Sequence, residues 1–142
     1  MSNSIGVGII ARNSAKTLRA CIQSFAEYAD QIVVVLAGQS TDKTAREAKR
    51  GSKKVELYTL PEIVESQWIK DILGDYAGTS NFAVARNFAY SKLNTDWLFW
   101  CDADDEIYQA ENIRKLAENA QDEVGAIWLP YHYAIDEFGN CT

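Results

Sequence analysis

The sequence predicts an α/β fold, a mostly parallel sheet with helices on both faces. Three observations carry this: uninterrupted apolar runs rich in β-branched residues, stretches of helical period between them, and short polar loops at each change of element. A strand covered on both faces needs no alternation, which is why continuous apolar runs point to parallel pairing.

The elements follow in order. "IGVGII" (5–10) is a short apolar run without helical period and reads as a buried strand ending in the loop "ARNS". Ser14 can cap the next helix, whose Leu18, Cys21, Ile22 and Phe25 fall at the spacing of one buried face. "QIVVVL" (31–36) is the second strand. "AGQSTDKTAREAKR" then supplies a turn, capping groups at Ser40, Thr41 and Asp42, and a polar helix. "KVELYTL" (54–60) is the third strand, closed by Pro61. Residues 62–73 suggest a short amphipathic helix, and "GDYAGTSN" a loop. "FAVARNFAYSKL" (82–93) is a helix with Phe82, Ala85 and Ala89 along one face, and "DWLFWC" is the fourth strand. A helix over roughly 109–120 precedes "GAIWLPYHY" (125–133), a strand whose Pro130 argues for an edge or a bend. Strand and helix units joined by short loops wind a parallel sheet right-handedly, and ligands gather outside the carboxyl ends of its strands. The loops Ala11–Ser14, Ala37–Asp42 and Asp102–Glu106 are therefore expected on one rim.

Composition bounds the function. A chain of 142 residues, 47% hydrophobic, can bury one core without disulfides or a structural metal. A net charge of −6 argues against a nucleic-acid partner, since phosphate-binding surfaces concentrate Lys and Arg. Cys21, Cys101 and Cys141 are odd in number and lack CxxC spacing, so they read as reduced thiols, two of them small core residues. No run reaches the length of a membrane span and no signal peptide is evident, so the expected location is cytoplasmic.

The densest chemistry is "DADDE" (102–106), four carboxylates in five positions directly after the fourth strand. Acidic residues favour helix N-termini, which is the plain explanation. At a ligand-binding rim, crowded carboxylates also suit Mg²⁺ or Mn²⁺, whose shell phosphate oxygens and water complete. Phosphatases of the haloacid dehalogenase type place Asp-x-Asp after the first strand, which here ends in "ARNS". "GVGIIARNS" lacks the Gly-Lys-Ser/Thr of a P-loop and makes a poor dinucleotide fingerprint.

Three stretches, "IGVGIIARNSAKTLRACIQSF", the "STDKT" following "IVVVL", and "FAVARNFAYSKLNTDWLFWCDADD", together resemble the nucleotide-sugar-binding half of family 2 glycosyltransferases. The match is in order and spacing and covers nearly the whole chain. The resemblance implies the Rossmann-like GT-A fold, with an Asp-x-Asp motif after the fourth strand. It further implies that Asp104 holds Mn²⁺ or Mg²⁺ against the donor's diphosphate, with Asp105 in the same shell, and that Asp102 reaches the ribose or sugar. Arg86, in "ARN", would lie near the base or pyrophosphate, while Ala11 and Asn13 line the base and ribose pocket. Read without the motif, Arg86 is a solvent-facing helical arginine. Where family members commonly end strand two with an acid that binds the base, this chain has Leu36, and Gln39 looks inserted. Base recognition then falls to Gln39 or Asp42. Residues 61–80 form an enlarged connection, in which Trp68 stands out.

Single aromatic and imidazole groups carry less. His132 lies in a strand-like segment and reads as structural or partly exposed, and Trp97, Trp100 and Trp128 read as packing. The implied activity is inverting transfer of a sugar from a nucleotide diphosphate donor to an acceptor hydroxyl. The acceptor, whether saccharide, lipid-linked sugar or protein, stays open, as do the catalytic base, self-association and peripheral membrane contact through the acceptor. The alternative is a non-catalytic nucleotide-sugar-binding or interaction module of the same fold. A sugar-phosphate nucleotidyltransferase would carry a glycine-rich, basic first loop, which is absent. The ending "YHYAIDEFGNCT" resembles a strand entering a turn, with Asp136 and Glu137 as turn residues. Residues 1–142 are accordingly expected to be a single donor-binding domain, truncated or completed by another subunit.

Overall fold

The computed structural model describes residues 3–60 and 82–132. The chain runs β1 (Ile5–Ala11), α1 (Leu18–Phe25), β2 (Gln31–Ala37), α2 (Thr44–Gly51), β3 (Val55–Leu60), α3 (Phe82–Ser91), β4 (Trp97–Trp100) and α4 (Glu111–Asn119). The strands form one parallel sheet in the order β3-β2-β1-β4. The helix expected over 62–73, the loop after it, the enlarged connection with Trp68, and the ending 133–142 with Asp136, Glu137 and Cys141 lie outside the described residues.

Every residue of β1 and β2 is buried except Ile10 and Gln31, which are half-buried, as continuous apolar runs require. The larger core lies on one face, where Val7, Ile9, Ile32 and Val34 meet Leu18, Cys21, Ile22 and Phe25 of α1. All four α1 residues are buried, matching the sequence spacing. Full burial of each large apolar side chain among them contributes about 1.5–3 kcal/mol. On the other face Val33 and Val35 pack with Ala89 of α3.

The glycines of β1 have a packing reason. A Cβ on Gly8 would stand 3.2 Å from the Tyr90 ring and 3.4 Å from Ala89 Cβ, so glycine lets α3 lie close on the sheet. Ala85 and Ala89 are the buried residues of that helix. Phe82, expected on the same face, is instead 61% exposed, because it opens the first turn of α3, where the helix has not yet reached the sheet-covering positions of Ala85 and Ala89.

Two further expectations are corrected. Ser14 does not cap α1: its hydroxyl donates back to Arg12 O (2.9 Å), while its carbonyl accepts the Thr17 and Leu18 amides. Residues 125–132 form no strand. β4 is the sheet edge among the described residues, and a cavity of about 420 Å³, lined by Leu98, Phe99, Val124, Ile127 and Leu129 among others, separates it from this segment. Without a ladder partner, apolar composition alone gives no strand, and Pro130 lacks an amide to donate. Trp128 is 93% exposed and Trp100 half-exposed, so neither is a core residue; His132 is exposed as well. No helix among the described residues is long and apolar enough to cross a membrane.

Candidate functional site

In the order β3-β2-β1-β4 the chain steps from β1 outward to β2 and β3 on one side, then reverses to place β4 on the other side of β1. That reversal opens a crevice at the carboxyl ends of β1 and β4, where ligands of open α/β sheets bind. The loop after β1 is bonded to that after β2, and Thr17, just beyond it, to that after β4.

The first two loops are tied together. Asn13 adopts a left-handed backbone (φ 49°), which asparagine tolerates better than most residues. Its amide donates to Ser40 Oγ (3.1 Å), and its side-chain oxygen accepts the Thr41 amide (2.7 Å). Asp42 spans both loops: Oδ2 accepts the Ala15 amide (3.0 Å), and Oδ1 accepts the amide (2.9 Å) and hydroxyl of Thr44. The Thr44 hydroxyl oxygen, fully buried, also accepts the Ser14 amide (2.8 Å). The Thr44 hydroxyl, helped by the Ala15 and Thr44 amides, holds the Asp42 carboxyl below its usual range against the opposing effect of burial. Ala11 is buried at the end of β1 opposite Leu36, itself buried against the α1 side, and Gln39 is exposed just past Gly38.

The loop after β4 alternates inward and outward. Cys101 and Ala103 are buried, whereas Asp102 and Asp104 are exposed. Its underside is fixed to α1 and the residue before it: Thr17 Oγ1 donates to Ala103 O (2.9 Å), and Cys21 Sγ donates to Asp102 O (3.3 Å). The Cys21 and Cys101 sulfurs lie 3.8 Å apart, both buried. The hydrogen bond with Cys21, burial and the nearby carboxylates push the Cys101 thiol well up, so Cys101 is an inert packing group, and both cysteines are buried as their apolar context suggested.

Above that floor, Asp102 meets Arg86. The guanidinium NH2 of Arg86 stands 3.5 Å from Asp102 Oδ1 and its Cζ lies 3.9 Å from the centroid of the Trp100 ring. Trp100 Nε1 donates to the same Asp102 oxygen (3.2 Å). Arg86 is thus held at the crevice rather than directed into solvent, and its Nε is buried without a hydrogen-bond partner among the described residues. Asp105 closes the turn: its amide donates to Asp102 O (3.1 Å), its Oδ2 accepts the Asp102 amide (2.8 Å), and its Oδ1 accepts the Tyr131 hydroxyl (2.5 Å). That hydrogen bond to Asp105, then burial and the negative charge of Asp105, Asp102 and Asp104, push the Tyr131 phenol up to about 12.

Asp104 makes no hydrogen bond or ion pair among the described residues. No group of three His, Cys, Asp or Glu side chains there converges to hold a metal ion by protein ligands alone. Mg²⁺ in phosphate sites typically takes one or two carboxylates and completes its shell with substrate oxygens and water, a pattern that an outward, unengaged Asp104 fits.

The structure therefore groups Asp102, Asp105 and Arg86 in the loop after β4 and the helix before it, and Asn13 and Asp42 in the joined loops after β1 and β2. Sequence reasoning missed Trp100 and Tyr131. Trp100 lies two residues before Asp102, so strand alternation could have placed the two side chains together. Tyr131 is 26 positions from Asp105, and nothing local announces it.

Residues 72–142 match the family described as glycosyl transferase family 2. The chain belongs to that family. It is also 30% identical over 117 residues to the SPbeta prophage-derived glycosyltransferase SunS of Bacillus subtilis (strain 168), covering 82% of this chain and 24% of that protein. Among solved structures it is similar to the glucosyl-3-phosphoglycerate synthase of M. tuberculosis (TM-score 0.51, 21% identity, covering 73% of this chain and 35% of that one). A structure described as that of a mycobacterial protein matches with a TM-score of 0.50 and 20% identity, over 72% of this chain and 31% of that one. These likenesses establish the GT-A type of fold for this family 2 chain, which spans about a quarter to a third of the length of the relatives it matches.

Proposed function

We propose that this family 2 chain binds a nucleotide diphosphate sugar in the crevice between β1 and β4, with a divalent cation at Asp104, for inverting transfer of the sugar to an acceptor hydroxyl. The observation that carries the reading is the unengaged, outward Asp104 carboxylate beside an Arg86 that Trp100 and Asp102 hold at the same rim. A glycosyltransferase relative supports the reaction class.

Bound Mn²⁺ or Mg²⁺ would supply neutralisation of the charge that develops on the departing diphosphate. The chain's own residues do the rest. Arg86, held at the rim by Trp100 and Asp102, is positioned to donate its terminal NH groups to a phosphate oxygen. Asp102, loosely paired at 3.5 Å, accepts a ribose or sugar hydroxyl. Ala11 and Asn13 offer backbone groups to the base and ribose. Asp42 has both oxygens committed to the loops, so base recognition falls to Gln39 or to backbone groups. Asp105 braces the metal-binding turn. A carboxylate outside this set deprotonates the acceptor.

Titration calorimetry with UDP, GDP, CDP and dTDP, with and without Mn²⁺, tests the reading on the wild type and on Asp104→Asn. The expected result is tighter nucleotide binding with Mn²⁺ in the wild type and loss of that increment in the variant, with the fold intact by circular dichroism. An equal Mn²⁺ increment in both proteins overturns the assignment of Asp104.

A further inference from the structure

We propose that Tyr131 is a positioning residue for the metal-binding turn: by holding Asp105 against the Asp102 amide, it keeps Asp104 as the carboxylate turned out to the cation. The inference rests on the proposed nucleotide-binding reading and deepens it.

Asp105 is the neighbour of Asp104 in sequence, and a cation at Asp104 would draw the Asp105 carboxylate outward. Two contacts oppose that movement. Oδ2 accepts the Asp102 amide at 2.8 Å while the Asp105 amide donates to Asp102 O at 3.1 Å, a reciprocal pair that closes the four-residue turn. Oδ1 accepts the Tyr131 hydroxyl at 2.5 Å, the length of a strong hydrogen bond to an ionised acceptor. With both oxygens engaged, rotating Asp105 toward a cation breaks one contact or both.

The turn is also held from below, where Thr17 and Cys21 donate to the Ala103 and Asp102 carbonyls, and from the side, where Trp100 and Arg86 approach Asp102. Tyr131 supplies the brace at its open end. It comes from the segment after α4, so the geometry of the Asp-x-Asp turn depends on a stretch that is distant in sequence and forms no strand. Groups that orient metal-binding carboxylates commonly change metal affinity 10- to 100-fold when removed.

The test is Tyr131→Phe, which keeps the exposed ring and deletes the hydroxyl, alone and combined with Asp105→Asn, in the full 142-residue chain. Three quantities are measured: UDP affinity without metal, its increase with Mn²⁺, and Tm without metal. The expected outcome is a roughly 10- to 100-fold loss of the Mn²⁺ increment, with metal-free UDP affinity and Tm unchanged. Because Tyr131 acts through Asp105, the double variant should lose no more than Asp105→Asn alone. An undiminished increment in Tyr131→Phe overturns the proposal. Equal falls in Tm, metal-free affinity and increment also overturn it, by showing a merely structural role, and so do additive losses in the double variant. If wild-type protein shows no Mn²⁺ increment, the underlying reading fails first and takes this inference with it.

Discussion

Replacing Thr44 by Val removes one hydroxyl and almost no volume, which isolates the polar join between the loops after β1 and β2. Thr44 is fully buried at the start of α2. Its oxygen accepts the Ser14 amide at 2.8 Å and its proton goes to Asp42. Valine leaves the half-buried Ser14 amide without that acceptor, and an unsatisfied donor costs about 1–3 kcal/mol. With no cavity to add, the expected loss is about 2 kcal/mol, or a fall in Tm of roughly 4–8 °C for a chain near this length. Thr44→Ser keeps the hydroxyl and loses one methyl, worth about 0.8 kcal/mol. Urea unfolding should therefore rank wild type above Thr44→Ser and Thr44→Ser above Thr44→Val. The Asp42 carboxyl, depressed chiefly by the Thr44 hydroxyl, should move back toward its ordinary value in the valine variant when followed by carboxyl NMR. A valine variant as stable as the serine variant, or an unmoved Asp42, would refute the argument.

Acid should destabilise the fold in a definite window. Asp42 and Asp96 are lowered chiefly by hydroxyl hydrogen bonds from Thr44 and Ser4, and Asp30 is lowered because the Ile5 amide, Arg114 and Lys54 together outweigh its burial. A carboxyl depressed in the folded state binds fewer protons there than in the unfolded chain, so stability is fully present above the usual value of about 4 and falls as pH drops below it; urea midpoints that stay flat from neutral to strongly acidic pH would contradict this. Gly6→Ala should overpack the α3 face, because the new Cβ would meet Thr95 Oγ1 and sit 2.9 Å from Leu93 Cδ2, while Thr95 is held by its hydrogen bond to Trp97 O (3.0 Å). A loss of about 1–3 kcal/mol in urea unfolding is expected, and a wild-type midpoint would show that the Thr95 turn yields freely.

The parts of the fold legible in the sequence are those whose signal is local. Ile32 to Val35 are β-branched and buried on both faces, and Leu18, Cys21, Ile22 and Phe25 repeat at helical spacing, so β2 and α1 followed from the residues alone. The run 125–133 has the same apolar character but forms no strand over its described residues, because a strand exists only where a neighbour pairs with it. Capping was legible in part: Asp42, a named candidate, accepts the Thr44 amide at the start of α2, whereas Ser14 does not cap α1. Ser14, Ser40, Thr41 and Asp42 were equally eligible by type, and tertiary contacts gave the work to Asp42 and Thr44. The acidic turn after β4 stood out as a charge cluster, and the family resemblance pointed to the crevice. The aromatic partners Trp100 and Tyr131 did not stand out, because nothing in composition distinguishes an aromatic residue that packs in a core from one that donates to a rim carboxylate.

The central claim, a metal and diphosphate seated where β1 and β4 diverge, is tested most directly by nuclear magnetic resonance of isotopically labelled protein titrated with UDP and Mn²⁺. The unpaired electrons of Mn²⁺ broaden nearby amide signals, so the broadening map locates the ion. The account predicts selective broadening at Asp102, Ala103, Asp104 and Asp105, weaker effects at Asn13 and Arg86, dependence on UDP, and loss of the pattern in Asp104→Asn. Broadening centred elsewhere, or an identical map in Asp104→Asn, would contradict it.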